Sequence, residues 1–310
     1  MDRGTYEITL ADEAGELIPP DNGGRLLLGV APAVRAVSLM AIQGRGVAKG
    51  RRPSWLHAVS DVRFRGASVN GGATFIFDAP RLGDAAEQLF QQRDFWLTEY
   101  SPNDTGFDLL ASALHDVQEE NVDSNRFDQG VLRTFKAFQR VLSDRVSHIS
   151  LDGEQITEPV RFDRNTIRHV ENLARTTPPE QRVRIVGELD MLKYSTSMFK
   201  LILDTGDRVR GVYEGDIAQL SNKLRERVVV SGHAIFRPSG KLLRVDAERL
   251  EEDSSAPALW SHIPTPKRTS LEREQLWRPQ GSSSGISAIM NRWPGDEDDE
   301  EVARQLERLS

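Results

Sequence analysis

Apolar and polar positions alternate with two different periods along this chain, and each change of period marks a new element. Residues 5–10, Thr-Tyr-Glu-Ile-Thr-Leu, alternate with period two and predict a short strand. From 23 to about 43 the chain is mostly apolar, carrying Leu26, Leu27, Leu28, Val30, Val34, Val37, Leu39 and Met40. That run predicts a helix that Pro32 either kinks or starts. Alternation returns in 62–66 and 73–77, with Asn70-Gly71-Gly72 between them, which predicts a β-hairpin that Pro80 ends. Helical spacing follows twice. Phe107, Leu110, Leu114 and Val117 share one face behind a capping Asp104, and Val131, Phe135, Phe138 and Leu142 share one behind Asp128. Around the turn formers Asp152-Gly153, residues 147–151 and 158–162 predict a second hairpin. Asp163 then starts a helix through Ile167, Val170 and Leu173, and Pro178-Pro179 stops it.

The proline pair predicts a boundary between a mixed domain, 1–178, and a second one, 179–252. In the second, the elements run strand, strand, strand, helix, strand, strand. Residues 181–193 form a long first strand in which Gly187 sits where a small barrel needs a bulge. Strands at 199–203 and 209–213 flank the turn 204–207. A helix over 216–224 turns Ile217, Leu220 and Leu224 inward, and strands at 227–236 and 242–250 flank Pro238-Ser239-Gly240. This order resembles that of an OB-type five-stranded barrel. The fold class expected is α+β: a mixed hairpin and helix domain, then an OB-like small barrel, then a disordered linker, 253–287, and a C-terminal helical segment, 288–310. Trp260 and Trp277 interrupt the linker and either lie over the folded body or contact another chain.

Composition narrows the chemistry. The chain has 310 residues and no cysteine, so thiol nucleophiles, disulfides and Cys-ligated zinc are excluded. The six histidines have no metal-ligand spacing, and no HExxH pair or nucleophile elbow occurs. The basic, Gly-rich stretch 44–53 fails the Walker pattern, because Lys49 precedes Gly50 and Arg51 follows it; it reads as a flexible connector. A non-enzymatic protein with no catalytic residue, no metal and no cofactor is expected. The N-terminus is charged at once, and no stretch approaches the uninterrupted apolar length of a membrane span, so a cytoplasmic location away from membranes is expected.

Charge is unevenly distributed. Of the formal net charge of −7, residues 181–250 contribute +4, from 13 Lys/Arg against 9 Asp/Glu, and the remainder carries −11. An OB-type surface binds oligonucleotides through aromatic platforms beside a basic groove. Its candidates here are Arg184, Tyr194, Lys200, Arg208, Arg210, Tyr213 and Lys241. Phe199 and Phe236 are alternatives, with a core role equally open to them.

The last residues carry a different signal. Six consecutive acids, Asp296 to Glu301, follow Trp293-Pro294-Gly295, with Asp296 at an N-cap position and Asp299 in the first turn. Val302, Leu306 and Leu309 share a face, and Arg304 and Arg308 lie at the negative end. So short a helix is marginal alone and borrows order from a partner. This stretch, from Ile289 onward, resembles the C-terminal segments of bacterial antitoxin-like proteins. The resemblance implies a toxin partner, commonly a PIN-domain ribonuclease with an acidic, magnesium-binding pocket. It further implies that Arg292 meets toxin carboxylates, that Trp293, Pro294, Gly295 and Asp296 seat the segment with the indole in an apolar pocket, and that Val302, Leu306 and Leu309 pack in a groove. The chain is far longer than small antitoxins and has no ribbon-helix-helix or AbrB-type signature. Nucleic-acid binding by the barrel, with the acidic tail as a recruitment peptide, is the alternative.

Overall fold

Strand β1 (Arg3–Asp12) lies at the centre of a five-stranded antiparallel sheet, because Tyr6, Ile8 and Leu10 alternate with polar residues and all three are buried on one face. The computed structural model describes residues 2–12, 18–48, 52–69, 72–90, 100–252 and 260–266. These belong to one compact unit, Met1–Lys267. After β1 come α1 (Pro20–Gln43), α2 (Ser54–Val59), the hairpin β2 (Arg63–Val69) and β3 (Ala73–Pro80), and the single turn α3 (Leu82–Ala85). Then follow α4 (Gly106–Gln118), α5 (Gln129–Ala137), β4 (Val146–Gly153), β5 (Val160–Asp163) and α6 (Arg164–Thr176). The sheet order is β2-β3-β1-β4-β5, so β1 separates the two hairpins predicted from sequence.

Helices cover one face of this sheet and share its core. Tyr6 stacks on Phe107 at 4.8 Å between ring centroids and donates its hydroxyl to Asp108 at 2.7 Å. Burial, first of all, raises the Tyr6 phenol above its ordinary value. Pro32 lies inside α1 without ending it; it sits on the exposed side, where water can take the place of the missing N–H. α1 is long and apolar enough to cross a membrane by length and composition alone, yet most of it is buried in this core. At the sheet edge, β2 has almost every side chain exposed, with Arg63 and Arg65 paired to Asp61 and Asp78. The cap of α4 is Thr105 and not Asp104: Thr105 and Asp108 form a reciprocal capping box, which places the first turn one residue later than expected.

The remaining strands close a barrel: β6 (Gln181–Lys193), β7 (Met198–Ile202), β8 (Arg208–Tyr213), β9 (Arg227–Phe236) and β10 (Leu242–Glu252). The first half of β6 pairs with β9 and its second half with β7, so one long strand serves both sides. β8 pairs parallel with β10, and β10 closes antiparallel on β9. With a 3₁₀ helix, Ile217–Lys223, between the third and fourth strands, this is an OB-like five-stranded barrel. Two details differ from expectation. The bulge in β6 lies at Asp190, between Leu189 and Met191, whereas Gly187 is required because a Cβ there would meet the Ile202 carbonyl oxygen at 2.7 Å. Leu224 is 43% exposed while Ile217 and Leu220 are buried, because the helix ends at Lys223 and Leu224 already has extended backbone.

Candidate functional site

β10 shows why the barrel cannot be read as an isolated module. Val245 and Ala247 fill the barrel core, and Arg244 and Asp246, which alternate with them, are also buried, so the strand is covered on both faces. A bulge at Leu243 turns that side chain onto the core of the helices and sheet. The outer face of β10 therefore meets the helices. Arg244 is the centre of the contact: its Nε donates to Asp246 at 2.7 Å and its Nη2 reaches Asp128 at 3.0 Å. Burial opposes the Arg244 charge, but Asp128 and Asp246 outweigh it and leave the guanidinium pKa raised.

Asp128 joins this cluster from the N-cap of α5. One oxygen accepts the N–H groups of Gly130 and Val131, and the other accepts from Gly46 at 2.9 Å. Gly46 follows α1, which ends on Gly44 in a left-handed conformation, its N–H donating to the Met40 carbonyl. Arg45 is turned into the junction, 4% exposed, with Nε donating to Gln43. Burial lowers the Arg45 pKa, with Asp246 opposing that effect. Gln43 in turn donates to the Thr196 carbonyl of the turn after β6. The start of the 44–53 stretch is thus a packed part of the junction. A second set of contacts holds the β9–β10 turn: Lys241 and Ser239 both donate to Asp123, and Arg237 to Asn125.

Beside these groups, residues of α1, α4, β7, β8 and β10 line a cavity of about 110 Å³. Its walls are mostly apolar, and Arg126, Lys193, Arg210 and Arg244 line it.

No protein-family model, curated protein or solved structure matches the chain.

The predicted nucleic-acid residues are distributed over several places. Lys200 and Arg210 face each other across β7 and β8, and Arg208 lies exposed on the same strand as Arg210. Lys200 lies 3.8 Å from Asp190, which also takes Arg225 at 2.9 Å. Tyr194 is 46% exposed in the turn between β6 and β7, and Tyr213 is half-buried against the barrel core. Arg184 sits 4.8 Å over the Trp260 ring, which packs on Val186 and Val229. Lys241 is the partner of Asp123, and Phe199 and Phe236 are core residues. Within the predicted linker, 260–266 is described: Trp260 lies on the barrel and Ser261 accepts from the Asp204 N–H at 2.7 Å. Arg292, Trp293, Pro294, Gly295, Asp296, Val302, Leu306 and Leu309 lie outside the described residues, as does Trp277.

The junction residues Arg45, Arg244 and Asp246 were not among the sequence candidates. One signal did exist. Opposite charges two apart on a strand share a face, and a face carrying Arg244 and Asp246 amid apolar neighbours fits an intramolecular contact as well as solvent.

Proposed function

We propose that this is a non-enzymatic binding protein whose segment 288–310 docks on and restrains a protein partner, with the folded body as its carrier. The resemblance of that segment names the partner's chemistry, a PIN-type toxin ribonuclease. The observation that carries the reading is a division of labour along the chain. The compact unit ends at Lys267, whereas Trp293-Pro294-Gly295, the six acids and the spaced Val302, Leu306 and Leu309 all come after it in the sequence. The outer barrel face supports it too, since much of its charge is already paired within the body. The six acids suit a basic rim on the partner, because an acidic catalytic pocket would repel them.

The test is co-purification with the product of an adjoining reading frame, using the full chain and a version lacking 288–310. Loss of the complex with an unchanged melting transition of the body is expected, and Trp293→Ala should weaken binding by about 2 kcal/mol. Undiminished binding by the truncated chain would overturn the proposal.

A second reading rests on the exposure of Arg208, Arg210 and Tyr194 on an OB-like barrel. It makes the protein a single-strand nucleic-acid binder. Affinity for single-stranded RNA that falls steeply with salt supports this reading, and no binding at low salt removes it.

A further inference from the structure

We propose that the cavity between α1, α4 and the barrel is a binding site for a small, neutral aromatic molecule with a single ring. Three features point to this class of ligand. Val37, Met40, Leu109, Met198, Val212 and Leu243 give the cavity mostly apolar walls. It opens on one side, because Ser112, Asn125 and Arg210 also line it and are exposed, whereas Val37, Met40, Leu109 and Val212 are buried. The second feature is that the polar groups around it are engaged within the chain. Arg126 is held by Asp116 and Arg244 by Asp128 and Asp246, and neither Lys193 nor Arg210 is free. Gln43 donates to the Thr196 carbonyl and accepts from Arg45, and Ser112 donates to the Asp108 carbonyl. The third feature is a pair of thioethers that line the same space from different elements, Met40 from α1 and Met198 from β7.

Each feature removes a competing ligand. A charged molecule would leave water without gaining a counter-charge, since the cations already have partners. A water molecule held there would need about two to four polar partners, and the groups that could serve are committed elsewhere. An apolar, uncharged molecule gains from the walls alone. The methionines then favour a ring with π electrons over a saturated one, because a polarizable sulfur is attracted to an aromatic edge. Size sets the limit. The cavity holds about 110 Å³. An apolar cavity of about 150 Å³ accepts benzene, so one ring is the right scale and a fused multi-ring ligand would not fit. Binding here would bridge the helices and the barrel, because Met40 belongs to α1 and Met198 to β7.

Titration calorimetry of the full chain at neutral pH with phenol, cyclohexanol and benzoate tests the proposal. Phenol and cyclohexanol carry the same hydroxyl on six-membered rings, and benzoate carries the aromatic ring with a charge. Phenol should bind with a Kd below about 1 mM, cyclohexanol about fivefold more weakly and benzoate at least about tenfold more weakly. Ala41→Leu fills the cavity from the α1 wall and should abolish phenol binding while the circular dichroism stays native. Because added bulk at a packed helix can disturb folding, Met198→Leu serves as the second variant: it conserves volume at a half-buried position and removes one sulfur. It should weaken phenol about threefold and leave cyclohexanol unchanged. Absence of phenol binding to the folded chain, equal binding of cyclohexanol or benzoate, full phenol affinity in a folded Ala41→Leu, or an unchanged preference for phenol in Met198→Leu would each overturn the assignment.

Discussion

Asp128 serves three parts of the structure at once. It caps α5, holds the Gly46 N–H and is the helix-side partner of Arg244. A capping carboxylate alone contributes about 1 kcal/mol. Removing one partner of a buried ion pair costs about 3–5 kcal/mol, because the other charge stays buried. Asp128→Ala should therefore destabilise the fold by the larger amount, and urea denaturation beside the Asp163→Ala variant measures the difference. A loss of only about 1 kcal/mol would show that the pair with Arg244 contributes little. The sequence made half of this legible. A cap is a local event, readable from Asp128 and the helical stripe behind it. The pairing with Arg244 depends on how β10 is laid against the helices, and no short-range pattern encodes it.

Among the elements, α6 offers the clearest pH dependence. Burial pushes the Asp163 carboxyl up, but the N–H groups of Thr166 and Asn165 outweigh burial and hold its pKa below the ordinary carboxylate value. A depressed folded-state pKa means that the contribution is present above the unfolded value, about 3.9, and is lost as pH falls through the folded one. Urea midpoints between pH 5 and 2 should thus fall less steeply for Asp163→Ala than for the parent chain; parallel curves would contradict this. Elements whose signal is periodic were readable from sequence: β1, both hairpins, α1, α6 and all five barrel strands fall near where alternation and helical spacing put them, although Asp152 and Gly153, expected as a turn, extend β4 opposite Glu7 and Tyr6. Their fine structure was not. The choice of Thr105 over Asp104 as cap was hidden because both are good capping residues, and it is settled by the reach of Asp108 back to the Thr105 N–H. The bulge at Asp190 was hidden because Gly187 carries the same sequence signal for a different reason, the approach of the Ile202 carbonyl.

For the molecule as a whole, the junction decides how the sheet with its helices and the barrel respond to stress. The buried cluster of Arg45, Asp128, Arg244 and Asp246 and the Asp123 contacts lie between them, and Leu243 of the barrel packs into the other core. Loss of either part would strand charges of the other in an apolar setting, so both should unfold together. Single-tryptophan versions keeping only Trp55, in the helical core, or only Trp260, on the barrel, should give coincident denaturation curves. Separate midpoints would mean that the cluster does not couple them. Of the functional signals, the tail pattern was legible in sequence because it is linear. The cavity was not, since its walls come from α1, α4, β7, β8 and β10 and meet only in the folded chain.

The rim formed by β2 has a further consequence. A terminal strand whose amides and carbonyls look outward is a template on which a second copy can add, and repetition of that step builds fibres. Arg63 and Arg65 alternate along this strand with Phe64 between them, so an incoming identical strand would bring its own guanidinium groups against these. Charged side chains on such a rim disfavour that addition, even with Arg63 and Arg65 held by Asp61 and Asp78.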